Sequence, residues 1–280
     1  MKAVVMEIRN DTCVVLQSDG AFVEIKNRNY RVGQGIRMQP KLTPCLAVVA
    51  CFLLLCTAAI GWHIPTSYVY MDINPSLLLE VNCLNRVIST VALNEDAKNL
   101  LKETGLLTGK TDECMEQLVT QCRALGYIPE GGADLELHLR TNKQTLEQQV
   151  QKIAQSLEGR DLTVSLYAVD PAEHKAALRS GVSPKRLEAV KQYTDQFGGT
   201  LEGNMSQLQG VATNEILRQI REAGGQLPAD RTVRYVSPQR KRAVHSYTQQ
   251  FGGTLEENME KLRGLTLEEI HQLIREDRNP

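Results

Sequence analysis

Aromatic side chains are scarce. Of 280 residues, four are Phe, eight are Tyr and one is Trp. That Trp, Trp62, lies before the distal region, which has one Tyr in each repeat plus Tyr235, so a sugar-binding platform of stacked rings is not expected there. Neither charge sign is in excess. With 32 basic and 33 acidic side chains the net charge is −1, which removes any general attraction to nucleic acid or anionic lipid. Seven cysteines form no CxxC and no cysteine and histidine cluster at zinc spacing, so neither a metal nor a cofactor is expected. G-x-S-x-G, H-E-x-x-H and a recognisable acid pair are also missing, which argues against a membrane-bound hydrolase.

Charge is missing locally as well. Residues 42–62, LTPCLAVVACFLLLCTAAIGW, carry no charged side chain and lie between Lys41 and His63. As a helix this run would cover the roughly 30 Å of a bilayer core, so it is read as a transmembrane helix. It begins too far into the chain, and lacks the small-x-small site beyond it, to be a cleaved signal peptide. Lys26, Arg28, Arg31, Arg37 and Lys41 precede it, and the nearest charge beyond is Asp72. The expected location is the cell membrane, single-pass, with the N-terminus cytoplasmic and the C-terminus extracytoplasmic. Cys83, Cys114 and Cys122 then fall outside, an odd number that leaves at least one thiol free or paired between chains.

The fold class expected is multi-domain: a small all-β cytoplasmic domain over 1–41, one transmembrane helix over 42–62, an α/β outer domain over 66–170, and all-α distal repeats at 183–222 and 237–276. In the first piece Val4, Met6 and Ile8, then Cys13 to Leu16, then Phe22, Val23 and Ile25 form short apolar runs. Asn10-Asp11 and Ser18-Asp19-Gly20 interrupt them as turns. So small a curled sheet buries little area and is expected to be completed by a partner at an edge or apolar face. Phe22 is expected to supply core area, worth about 3–5 kcal/mol on truncation to Ala, and Arg28 or Arg31 to serve binding or positioning.

Beyond the span, Leu77, Leu79 and Val81 alternate with Leu78 and Glu80, and Val87 to Leu93 forms a second strand after a turn through Cys83-Leu84-Asn85. Asn94 or Asn99 is read as starting short helical turns that Gly105 and Gly109 limit. A clearer helix opens at Thr111, and Leu146, Val150, Ile153 and Leu157 share a face of another. Strands at 135–139 and 162–166 complete an α/β pattern. His138 is expected to be a solvated or hydrogen-bonded strand residue. Asn74-Pro75 is the chemically unusual bond. Because proline has no N–H, the Asn74 side-chain nitrogen would have to attack its own backbone carbonyl and expel the Pro75 nitrogen, with Asp72 as a proton carrier and Ser76 beside the bond.

Residues 183–222 and 237–276 repeat at an offset of 54. Ser183-Pro184 and Ser237-Pro238 read as N-caps, Gly198-Gly199 and Gly252-Gly253 as stops, and Thr200 and Thr254 as further caps, giving three short helices per repeat. Each repeat balances its charges, five of each sign in the first and six in the second, which disfavours direct nucleic-acid binding. An unknown extracellular ligand or protein at the helical repeats is one expectation; a spacer or cap is the other.

Two stretches resemble the anti-sigma-I factor (RsgI) family of bacterial single-pass membrane regulators. They are VVLQSDGAFVEIK with YRVGQGI near the N-terminus, and VYMDINPSLLLEVNCLNRVISTVALNEDAKNLL beyond the uncharged run. The resemblance covers 1–170. It implies that the N-terminal domain sequesters a sigma-I-type sigma factor, with Phe22, Arg28 and Arg31 as its partner-binding residues. It also implies that the outer domain cuts itself once at Asn74-Pro75 while its halves stay associated, and that an intramembrane protease completes release. This is autoproteolysis without turnover, within signal transduction and transcription regulation. Two departures stand out: no distal carbohydrate-binding or glycosidase-like module is recognisable, and Ala97 stands where many relatives carry glycine. A membrane-anchored envelope interaction or structural protein without sigma-factor binding is the alternative.

Overall fold

The computed structural model describes residues 2–38, 43–159, 161–225 and 232–276. It divides into two compact units, Met1–Ala59 and Ile60–Pro280.

In the first unit β1 (Lys2–Arg9), β2 (Thr12–Gln17), β3 (Phe22–Lys26) and β4 (Gly35–Arg37) form an antiparallel sheet in the order β3-β2-β1-β4. Asn10 turns the first hairpin at φ 43°, a left-handed conformation that Asn tolerates better than most side chains. Ala3, Val5, Cys13 and Val15 are buried, and Val23, Ile25, Tyr30, Ile36 and Met38 pack against them. That is one face of the sheet.

Helix α1 (Thr43–His63) runs across the division between the units. Here the expected fold class is corrected. Among the described residues no helix is long and apolar enough to cross a membrane. Residues 39–42, with Lys41 and the start of the expected span, lie outside the described residues.

The second unit opens with β5 (Ser67–Asp72), β6 (Ser76–Val81) and β7 (Arg86–Ala92), followed by α2 (Glu95–Thr104), β8 (Gly109–Lys110), α3 (Thr111–Ala124), β9 (Ala133–Arg140), α4 (Gln144–Leu157) and β10 (Leu162–Ala168). With β11 (Val233–Val236) they build a seven-stranded sheet ordered β11-β10-β9-β5-β6-β7-β8. Among the described residues only β9 and β10 pair in parallel, and α4 supplies the crossover that a parallel pair needs. Ala97 and Leu100 of α2, Cys114 to Cys122 of α3, and Leu146 to Leu157 of α4 close one apolar core on Val69, Met71, Leu77, Leu79, Leu135, Leu137 and Val164. Where only short turns were expected after Asn94, α2 is a ten-residue helix capped by the Asn94 side chain and stopped at Gly105, φ 74°.

Helix α5 (Pro171–Ser180) and strand β11 were not foreseen; both belong to the stretches around the repeats. The repeats fold as α6 (Pro184–Phe197), α7 (Leu201–Gln207) and α8 (Thr213–Glu222), then α9 (Pro238–Phe251), α10 (Leu255–Lys261) and α11 (Leu267–Glu276). Ser183, Ser237, Thr200 and Thr254 accept from backbone N–H groups at their helix starts, and Thr254 with Glu257 forms a complete capping box. Each repeat has a small apolar core, around Val190, Ile216 and Ile220 in one and Val244, Ile270 and Ile274 in the other. Equivalent arginines brace both: Arg186 donates to the carbonyls of Leu208 and Val211, and Arg240 to those of Leu262 and Leu265. Rather than standing apart, the repeats cover the second, polar face of the seven-stranded sheet.

Candidate functional site

The strands place Asp72 at the end of β5, Ser76 at the start of β6, and Asn74-Pro75 in the turn between. Register pairs Asp72 with Ser76, and the Ser76 hydroxyl donates to Asp72 Oδ1 at 2.5 Å. Asn74 is exposed, while Asp72, Pro75 and Ser76 are buried. Asn74 has φ 84°. For a residue with a Cβ this conformation is uncommon, and a following proline narrows its choices further. Such a position stores about 1–3 kcal/mol that the surrounding fold must hold. It is also where the unusual chemistry of the Asn-Pro bond would act.

Asn94 determines how the Asn74 side chain is turned. Its Oδ1 accepts from the backbone N–H groups of Ala97, 2.9 Å, and Ser76, 3.1 Å. With the oxygen fixed by two donors, its Nδ2 faces the other way and donates to Asn74 Oδ1 at 3.0 Å. Asn74 Nδ2, the atom that would attack, makes no hydrogen bond among the described residues. A donor on Oδ1 also stabilises the amide as its nitrogen loses a proton. Sequence reading named Asn94 as a helix start but missed this second role, because the cap formula says nothing of what the amide N–H group meets.

Burial pushes the Asp72 carboxyl above its usual range, an effect that Lys185, Ser76 and Ser183 only partly offset. Asp72 Oδ2 faces His138 Nε2 at 3.7 Å, and His138 Nε2 is 3.4 Å from Glu136 Oε2. His138 is fully buried and stacks on Tyr167 at 5.4 Å between ring centroids. Of the two expectations for this residue, burial excludes the solvated one and the contact with Glu136 bears out the hydrogen-bonded one: the repeats take the place of water on this face. Glu136 is the centre of the arrangement. It receives Arg263 at 2.9 Å and Lys185 at 2.9 Å, one cation from each repeat. Burial alone would raise its pKa, but Arg263 and Lys185, with His138, outweigh burial and hold the carboxyl well below the usual range. Nearby, Arg240 meets Asp134 at 3.3 Å.

On the first unit the period of two decides a different question. Register aligns Val4 with Leu16 and Leu16 with Phe22 across three adjacent strands, on the face opposite Val5 and Val15. Phe22 is 65% exposed, Met6 47% and Val4 43%. The expected core role of Phe22 is thus corrected, since Val23 and Ile25 take the inward positions of β3. Arg28 and Arg31 are exposed in the segment between β3 and β4. No ion pair joins either to another described residue.

The first unit carries an outward apolar sheet face, and the second a strained Asn-Pro turn. Residues 1–37 match the family described as anti-sigma factor N-terminus, and residues 66–192 match the anti-sigma factor RsgI-like central domain. The chain belongs to the RsgI family of anti-sigma factors. The central-domain match runs past β10 and into α6, so the start of the first repeat falls within it. Among curated relatives, anti-sigma-I factor RsgI7 of Acetivibrio thermocellus is 24% identical over 242 residues, covering 79% of this chain and 44% of the relative. Anti-sigma-I factor RsgI of Bacillus anthracis is 26% identical over 204 residues, covering 65% of this chain and 46% of the relative. The matches thus span less than half the length of these two relatives.

Proposed function

We propose that this chain is an anti-sigma factor that holds a sigma-I-type sigma factor on the outward face of its N-terminal sheet. The observation that carries the reading is the apolar row Val4, Leu16 and Phe22, with Met6 beside it, on a sheet too small to spare such area. The names of the relatives supply the class of partner. The N-terminal unit is assigned to the cytoplasm, where a sigma factor would be met. In a pull-down with the full chain, Phe22→Asp should abolish capture of the sigma factor while the melting of the sheet is unchanged. Undiminished capture would remove this face from the interface.

The second half of the proposal is one self-cleavage at Asn74-Pro75, through which an outside signal is relayed and after which a protease completes release. Asn74 Nδ2 bonds to the Asn74 carbonyl carbon, the carbon–nitrogen bond to Pro75 breaks, and the proton lost by Nδ2 reaches the Pro75 nitrogen. The products are a chain ending in a succinimide and a chain beginning with Pro75. Asp72 carries the proton, with Ser76 bridging, and Asn94 orients the amide. The positive φ of Asn74 and its one-sided hydrogen bonding support this reading. A denaturing gel of the full chain should show two fragments, with Pro75 as a new terminus by mass spectrometry. Asn74→Ala should leave one chain, and Asn94→Ala should slow cleavage about 10–100-fold through lost orientation. A wild-type chain that stays whole for days while folded ends the cleavage reading and leaves sigma-factor binding standing.

A further inference from the structure

The two repeats are alike in their caps, arginine braces and cores, and they differ where they meet the sheet. Lys185 of the first repeat corresponds, 54 residues on, to Gln239 of the second, and Asn214 corresponds to Glu268. These two departures sit together. Lys185 Nζ donates to Asn214 Oδ1 at 2.7 Å, and both line a cavity of about 10 Å³ with Asp72, Ile73, Asn74, Ser76 and Thr213. The cavity is on the scale of one water molecule. Lys185 is buried and 2.9 Å from Glu136, so its charge is held in place rather than solvated.

We propose that the first helical repeat is a working part of the cleavage site, with Lys185 as a positioning residue that keeps Asp72 able to accept a proton beside Asn74. The inference rests on the cleavage reading above and assigns the repeat a role within it. Asp72 is enclosed by charged or titratable groups from several elements: Tyr70 on its own strand, Glu136 and His138 on β9, and Lys185 and Arg186 on α6. Of these, Glu136 opposes ionisation of Asp72, and it is already matched by Arg263 from the second repeat. Lys185 is the cation that serves both carboxylates. Ser76 then links Asp72 to the cavity. A repeat docked in this way makes bond cleavage conditional on its own docking.

The test is the cleavage rate of the full chain against pH, followed by gel and mass spectrometry. Lys185→Met should move the rising limb of the profile upward by about 1–3 pH units, the range for loss of one adjacent opposite charge. Below that limb the rate falls about tenfold for each pH unit by which the limb moves. Lys185→Arg should restore the wild-type profile, and Asn214→Ala should give a smaller displacement because the charge remains but loses its tether. Gln239→Ala, the equivalent position in the second repeat, should leave the profile alone. Hydrogen exchange of α6 reports whether the repeat stays folded in each variant. If Lys185→Met cleaves with the wild-type profile, or if Met and Arg variants are equally slow, the inference is overturned while the cleavage reading survives. A wild-type chain that never cleaves overturns both.

Discussion

Both units begin as antiparallel sheets, yet they treat their second faces in opposite ways. In the four-stranded sheet one face is covered by the chain's own apolar side chains and the other presents Val4, Leu16 and Phe22 outward. In the seven-stranded sheet the apolar face is covered by α2, α3 and α4, and the polar face by the chain's own repeats. Apolar area left outward on a small sheet invites another molecule. Polar groups buried on a large sheet have already found their partner, since a carboxylate enclosed without one would be too costly to keep.

Glu136→Ala strikes this contrast hardest. It removes the carboxylate that the buried Lys185 and Arg263 share, and chemical denaturation of the second unit should show a loss of about 3–5 kcal/mol. A loss under about 1 kcal/mol would mean that the repeats barely depend on the sheet. Val15→Ala against Phe22→Ala tests the smaller sheet: the buried Val15 should cost about 1–3 kcal/mol and the exposed Phe22 within about 0.5 kcal/mol. Equal costs would return Phe22 to the core.

The repeat contact should also respond to acid with a defined sign. The folded pKa of Glu136 is depressed, so its contribution is complete above the ordinary value of 4.5 and is lost as pH falls below that toward the folded value. His174 is shifted downward too, first by burial and then by Arg140, and so binds fewer protons folded than unfolded below its ordinary value of 6.5. It should weaken the unit as pH falls below 6.5, before Glu136 does. Asp72, shifted upward, works in the other direction: it takes up its proton in the folded state first and so favours folding as pH falls through its raised value. His174→Phe is therefore needed to isolate the histidine step. Unfolding midpoints measured from pH 8 to pH 4 should flatten near 6.5 in that variant. A local effect is expected at Thr254→Ala, about 1 kcal/mol from one lost cap in α10, seen as faster local exchange.

Local signals were readable in the sequence. Ser183, Thr200, Ser237 and Thr254 cap helices because a hydroxyl needs only the next three residues to act. Phe22 was misread although the alternation of Phe22, Glu24 and Lys26 against Val23 and Ile25 already puts it outward. What could not be read was pairing at a distance. Glu136 and Arg263 are 127 residues apart, and a strand that alternates Leu with Glu and His looks half-solvated unless the covering helices are known. Strand β11 hides similarly, because four residues between two repeats have no periodicity to show until β10 supplies a register. At the Asn-Pro turn the residue types were visible in order, whereas Asn94, Lys185 and Asn214 reach it from other elements. The uncharged run shows the reverse error, in which composition alone promised a span that the described helix does not meet.

The position of β5 in its sheet has a mechanical consequence. It is the middle strand of seven, paired over six residues with β6 and five with β9. With the bond after Asn74 cut, β5 would be the C-terminal end of one fragment and a guest in the other. A pull from its Ser67 end acts along the strand, so both ladders bear load together in shear and cannot be peeled one bond at a time. Escape would then be a single rupture event whose waiting time depends on a barrier. The severed strand would behave as a timer that tension shortens.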